Sequence, residues 1–430
     1  MLDLSPNGLG AVRHLAGSGI AVRAFDSDPA REGFRSRVGR RERCPDPVVR
    51  PGDLASFLLE RATAEPRPPF LLPCNDKFAR FVSERRDELA RGFTFVIPPA
   101  DIYTALLSKD GTAGFASGVG IAVPRSLTLR TGRRAAGALP DGLIPEDFPF
   151  PALLKPALSY TLWGVTRGKV VVVRSRRQAG EVLETLPPDA VFLLQEVIPG
   201  GDSGLLFYTT YLSPGGRVLA EHLARKLRQY PPGFGTGTLF EPYPDDDLLA
   251  HGRRLFSHPG YSGLGMAEFK RDPRDGKLRL IEVNVRLWLF HPLSVPDGVD
   301  FVLTAYRDAT GQAVPPQVQL GRDVVWRSLL TDLLVFPFYR KRGQVTAGRW
   351  LFPGRKRCRF ALWDRRDPGP FLYALWTYVG KALRRLSGGR GRAGQGMATA
   401  GNRVPELSWE EHARILGGPR APDQSGVVEQ

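Results

Sequence analysis

Residues 260–286, GYSGLGMAEFKRDPRDGKLRLIEVNVR, constrain this chain more than any other stretch. Two runs of strand-forming residues flank a turn near Asp272–Gly276, which predicts an antiparallel hairpin. Alternate residues of a strand share a face. Met266, Glu268 and Lys270 therefore point one way on the first strand, and Glu282, Asn284 and Arg286 share a face on the second. Glu268 and Glu282 are equidistant from Asp275, so a turn centred there sets them opposite each other, or one position apart if the loop is even. Like charges opposed across a ladder are destabilising. One compensation is a hard cation: two carboxylates and an amide oxygen suit Mg2+. The other is a set of solvent-facing residues paired with Lys270 or Arg286. The hairpin alone leaves both open.

The rest of the chain supplies the context. At 430 residues, two or three domains are expected. Up to about residue 98, GIAVRAFDSD (19–28) and PPFLLPCNDK (68–77) read as strands, with GAVRHLAG and DLASFLLERATA as helices between them. That is the logic of a parallel α/β domain with a crevice at the strand ends. SPNGLG (5–10) fails the glycine fingerprint of a dinucleotide site, with Ser5 and Asn7 at its first two glycine positions. The strand before it is only Met1–Leu4, which leaves open whether the start is assigned correctly and whether this domain binds substrate.

From Pro99 the pattern becomes antiparallel α+β. FPFPALLKPA, GKVVVVRS and AVFLLQEVIPG (190–200) read as strands, and the stretch from Leu205 to Arg228 as a hairpin turning at Pro214–Gly216. The boundaries expected are 1–98, 99–190, 191–312, a basic aromatic segment at 313–386, and a tail at 387–430 whose Gly-rich, polar composition predicts disorder.

A net charge of +16 raises the question of nucleic acid. The excess is local: Leu334–Leu386 holds 13 Lys and Arg against 2 Asp and Glu, a net +11. No nucleic-acid partner is expected. That segment interleaves Arg with Trp350, Phe352, Trp363, Phe371, Tyr373, Trp376 and Tyr378, and PFLYALWTYVGKALRRLSG reads as an amphipathic helix able to make a weak membrane-surface contact. Packing against the rest of the protein accounts for the same aromatics. The most apolar run, 323–338, carries Asp323, Arg327 and Asp332, which argues against a spanning helix. No secretory signal is apparent, and Cys44, Cys74 and Cys358 form neither a disulfide framework nor a metal spacing, so a cytoplasmic protein is expected.

GMAEFKRD followed by LRLIEVNVR resembles the metal-binding end of the ATP-grasp carboxylate–amine ligases, a group that includes D-alanine–D-alanine ligase and the ATP-grasp domains of carbamoyl phosphate synthetase and biotin carboxylase. Upstream, Lys109 in LLSKDGT and Lys155 in PALLKPA match the phosphate-binding lysines of that family, and FLLQEVIPGGD (192–202) its adenine hinge. The resemblance spans roughly residues 1–312 and implies a parallel α/β domain before an ATP-grasp fold of two α+β subdomains, with the basic segment after it. It implies ATP and one or two Mg2+ ions, with Mn2+ as a substitute. Glu268, Glu282 and Asn284 would hold the metal. Lys109, Lys155, Gln195, Glu196, Val197, Ile198 and Asp202 would hold the nucleotide. Lys155 and Arg286 would act in catalysis, and Arg225 and Arg228 in ARKLRQY would bind a substrate carboxylate. The activity implied is amide formation from a small carboxylic acid and an amine, through an acyl phosphate, with ADP and phosphate released. One departure is ALSYTLWGVTRGK, where a glycine-rich phosphate loop is usual and a bulky Trp163 stands instead. The alternative to a ligase is a nucleotide-binding regulatory or surface-docking protein on the same scaffold.

Overall fold

The computed structural model describes residues 1–130, 143–156, 170–186, 190–351 and 357–387. The N-terminal part contains α1 (Pro6–Gly17), β1 (Arg23–Asp26), β2 (Arg40–Arg43), α2 (Pro51–Thr63), α3 (Asp76–Glu84) and α4 (Arg86–Leu89). β1 and β2 pair in parallel. The short opening strand is central: Leu2 bridges in parallel to both Phe25 and Pro73. Its backbone N–H donates to Leu72 O at 3.0 Å, and that of Asp3 to Phe25 O at 2.9 Å. The strand expected at 68–77 is reduced to such single bridges. The parallel layer still brings Ser5, Asp26 and Asn75 to its C-terminal edge, where an α/β crevice forms.

Next come α5 (Ala100–Leu107), α6 (Lys109–Gly118), β3 (Ser126–Arg130), β4 (Ala152–Pro156), β5 (Val171–Val173), α7 (Arg176–Glu184) and β6 (Val191–Glu196). The four strands form one antiparallel sheet in the order β3-β6-β4-β5. Ala179, Val182 and Leu183 of α7 bury one face against Ala152, Leu154, Val173 and Leu194. Two of the expected boundaries cut across these contacts. β6 lies in the middle of this sheet, so a division at 190/191 would strip both neighbouring strands of their ladder partners. α5 and α6 share the core of the N-terminal part, where Ile102, Tyr103 and Ala116 pack with Leu54, Phe78 and Leu280.

The larger sheet follows: β7 (Leu205–Leu212), β8 (Val218–Tyr230), β9 (Thr236–Pro242), α8 (Asp246–Phe256), β10 (Gly263–Arg271), β11 (Leu278–Asn284), α9 (Phe301–Ala309), β12 (Val324–Arg327), α10 (Leu329–Lys341), α11 (Ala347–Leu351), β13 (Arg357–Phe360) and α12 (Gly369–Ser387). Its seven strands run β11-β10-β7-β8-β9-β12-β13. The expected β7–β8 turn is present, with Gly216 at φ 75°. α8 approaches β7 so closely at Gly252 that a Cβ there would lie 2.0 Å from Tyr208 Cγ. The segment 313–386 contributes β12 and β13 to this sheet. β12 is buried throughout and extends the sheet from β9, because its apolar VVWR run needs cover on both faces.

Candidate active site

The hairpin forms in the expected register. Glu268 on β10 lies directly opposite Glu282 on β11, and Met266 opposite Asn284. The pairing then slips between Glu268 and Phe269, which faces Leu280. Such bulges re-aim side chains and recur beside active sites.

Each polar group on this face has a distinct environment. Glu282 is exposed and makes no hydrogen bond or ion pair among the described residues. Glu268 Oε1 accepts from Lys226 Nζ at 3.1 Å. Asn284 is 8% exposed, and its Oδ1 accepts from Arg286 Nη2 at 2.9 Å. Arg286 in turn donates from Nε to Asp76 Oδ1 at 2.6 Å and from Nη2 to Asp76 Oδ2 at 3.2 Å. Asp76 opens α3, so the crevice edge of the N-terminal layer meets the end of β11 here. Lys270, expected as a partner for the carboxylates, instead donates to the carbonyls of Gly200, at 3.0 Å, and Gly201. Burial lowers its pKa to about 8, against the pull of Asp202 and with help from Lys226. Lys270 thereby grips the link between the two sheets.

Lys226 was not among the expected site residues, unlike Arg225 and Arg228 nearby. It is 5% exposed, and its ammonium lies 5.3 Å from the centroid of the Phe207 ring. The signal was strand parity: Glu268 faces Phe207, which faces Ala224, so position 226 returns to the carboxylate face. The same parity sends Arg225 to the opposite face, where it meets Glu241 at 2.6 Å. Arg228 is buried and forked onto Asp332 at 2.7 and 2.8 Å. Both arginines expected to bind a substrate carboxylate are thus engaged by carboxylates of the protein itself, Glu241 and Asp332.

Across the link, Lys155 on β4 is 7% exposed and donates to Gln195 Oε1 on β6 at 2.6 Å. Gln195 Nε2 passes on to Ser126 Oγ at 3.0 Å. This polar row lies on the face of the small sheet away from α7, beside an apolar patch of Leu153, Val172 and Val197 against which Phe234 packs. A flat apolar wall beside a buried lysine suits a purine with its phosphates. The hinge itself is less open than expected. The N–H groups of Glu196 and Val197 already donate to Arg125 O at 2.9 Å and Pro151 O at 3.1 Å. Asp202 accepts from Gln229 Nε2 at 2.7 Å and from the Tyr339 hydroxyl. Of the three N–H groups expected to serve the nucleotide, those of Glu196 and Val197 are therefore taken. Lys109 opens α6, but its side chain lies outside the described residues, as does the loop 157–169.

His291 is 2% exposed, with Nδ1 2.9 Å from Trp288 O and Cε1 against Gly10. It packs the core rather than the site. Burial lowers its pKa from 6.5 to about 4. The unfolded chain therefore binds the extra proton first as pH falls. His291 contributes stability that is full above about pH 6.5 and is lost towards pH 4, roughly 3 kcal/mol in all. Urea midpoints measured from pH 7 to pH 4 should fall less steeply for His291→Gln than for the parent.

The donor set at the hairpin fits an oxygen-seeking divalent cation. Glu282 and the second oxygen of Glu268 are open, and the Asn284 oxygen needs only release by Arg286. Among the described residues no group of three or more His, Cys, Asp or Glu is placed to hold a metal. A cation here would therefore complete its shell with water or phosphate oxygens, as Mg2+ does.

No family model matches the chain. It is 24% identical over 235 residues, 53% of its length, to the D-aspartate ligase of Enterococcus faecium (strain Aus0004). The chain spans about half, 55%, of the length of that curated relative. Among solved structures it resembles the L-amino acid ligase of Bacillus licheniformis, with TM-score 0.52 and 16% identity over 73% of this chain and 76% of that one. It also resembles a biotin carboxylase–β,γ-ATP complex from Campylobacter jejuni, with TM-score 0.55 and 15% identity over 75% and 73%. Likeness at this level shows the fold.

Proposed function

We propose that this chain, which has the ATP-grasp fold of those enzymes, is an ATP-dependent carboxylate–amine ligase. The observation that carries the proposal is the direct opposition of Glu268 and Glu282, with Asn284 and Arg286 beside them. A sheet that needed only stability would not keep two carboxylates in register. Mg2+ held by Glu268, Glu282 and Asn284 would neutralise phosphate charge.

The remaining roles follow from charge and position. Lys155, held by Gln195, offers a fixed cation to the ATP phosphates beside the apolar wall. A carboxylate oxygen of the acid attacks the γ-phosphorus, and ADP leaves. The amine then attacks the acyl carbon, and phosphate leaves with the oxygen that the acid supplied. Activation is required because a carboxylate is a poor electrophile. Arg286, at the junction of the metal strand and the N-terminal crevice, would steady the transferred phosphoryl group once Asp76 yields. Lys226 keeps Glu268 oriented before ATP arrives. The curated relative's name makes an amino acid the first acid to test.

The experiment is a screen for ADP release with Mg2+ and ATP, against pooled amino acids, other small carboxylic acids and amines. Release should rise when an acid pool and an amine pool are both present. ATP turnover indifferent to every pool would overturn the reading.

A further inference from the structure

We propose that α12 docks this protein onto an anionic lipid surface, independently of the ligase reading. Among the described residues, the helix is anchored on its inner side. Just before it, Asp367 is buried and accepts from Arg13 Nε at 2.9 Å, Ser36 Oγ at 2.6 Å and Arg37 N at 2.9 Å. On that inner side, Ala374 is 3% exposed and the Arg35 guanidinium lies 4.7 Å over the Tyr373 ring.

The outer side is apolar and faces solvent. Leu372, Leu375, Trp376, Val379 and Leu383 are 54%, 39%, 72%, 48% and 59% exposed. Their spacing places all five within a stripe about 100° wide. A stripe built around tryptophan, on a helix that carries no acidic residue, has the make-up of an interfacial helix. No helix among the described residues is long and apolar enough to cross a membrane, so the contact would lie along the surface.

Charge selects the occupant. Lys381 and Arg384 are exposed on the helix, and Arg365 and Arg366 just before it. The 3-10 turn Glu32–Arg35, on which α12 packs, leads into β2, whose four exposed residues include three arginines. A second copy would bring another net +11 against this surface, which opposes self-association. Residues 388–430 carry five Lys or Arg and five Asp or Glu, so the tail offers no net complement. An anionic leaflet supplies one, at about a fivefold gain in binding per basic residue near the surface.

The test is co-sedimentation of the full chain with vesicles of phosphatidylcholine alone, or with roughly a third phosphatidylglycerol. The protein should pellet with the anionic vesicles only, and release as salt rises towards about 0.5 M. The pair Leu372→Ser and Trp376→Ser should lower binding about tenfold, since both lie in the inserted stripe. Its melting temperature and ADP release should be unchanged, because both side chains are exposed. Absence of pelleting, or equal pelleting by the paired variant, overturns the proposal. Pelleting that appears only after removal of 388–430 overturns it in favour of the tail as occupant. A parent dimer that the paired variant dissociates overturns it in favour of a second copy.

Discussion

Replacing Glu282 by alanine is expected to remove ATP-dependent ADP release, by about a thousandfold or more, while leaving the fold intact. A loss of that size is on the order of 4 kcal/mol of transition-state stabilisation, the scale of deleting one preorganised electrostatic group. The fold should hold because Glu282 is exposed and makes no hydrogen bond or ion pair among the described residues. Its removal even relieves the like-charge contact with Glu268. Stability should therefore stay within about 0.5 kcal/mol of the parent. Steady-state ADP release and a urea titration on the same preparation separate the two effects. Undiminished turnover would remove Glu282 from the site.

The largest effect on stability is expected at Asp332, far from any expected site residue in sequence. Its carboxylate is fully buried on α10. It accepts from Arg228 Nε at 2.7 Å and Nη2 at 2.8 Å, from Arg327 Nε at 2.7 Å, and from Thr238 Oγ1 at 2.9 Å. One carboxylate thus ties α10 to β8, β9 and β12. Asp332→Ala leaves two buried guanidinium groups without their shared counter-charge, which costs about 3–5 kcal/mol or more. Asp332→Asn keeps acceptors but not charge, and should fall between. Urea midpoints rank the three proteins. The damage should also reach the hinge, since Tyr339 on the same helix donates to Asp202. A midpoint for Asp332→Ala equal to that of the parent would show that the cluster is not what fixes α10.

The sequence was most legible where a single local rule decides the outcome. The hairpin register followed from strand parity and the turn residues between the carboxylates. The helix read from PFLYALWTYVGKALRRLSG is α12. Long-range pairing was not legible. Arg228 looked available for substrate because its partner lies 104 residues away. Lys226 was passed over because its partner Glu268 lies 42 residues away, on the far side of an intervening strand. The basic composition after residue 312 disguised β12, four buried residues that belong to the main sheet. β6 was assigned across a boundary because an apolar strand shows its pattern but not its neighbours.

A ligase of this kind must activate its acid by phosphorylation at the carboxylate hairpin. An acid found by the screen, enriched in 18O at its carboxylate, tests this directly. Phosphate released during turnover with the amine is analysed by mass spectrometry. Transfer of one labelled oxygen into each phosphate is the predicted result. Phosphate free of the label, at the same rate of ADP release, would contradict it.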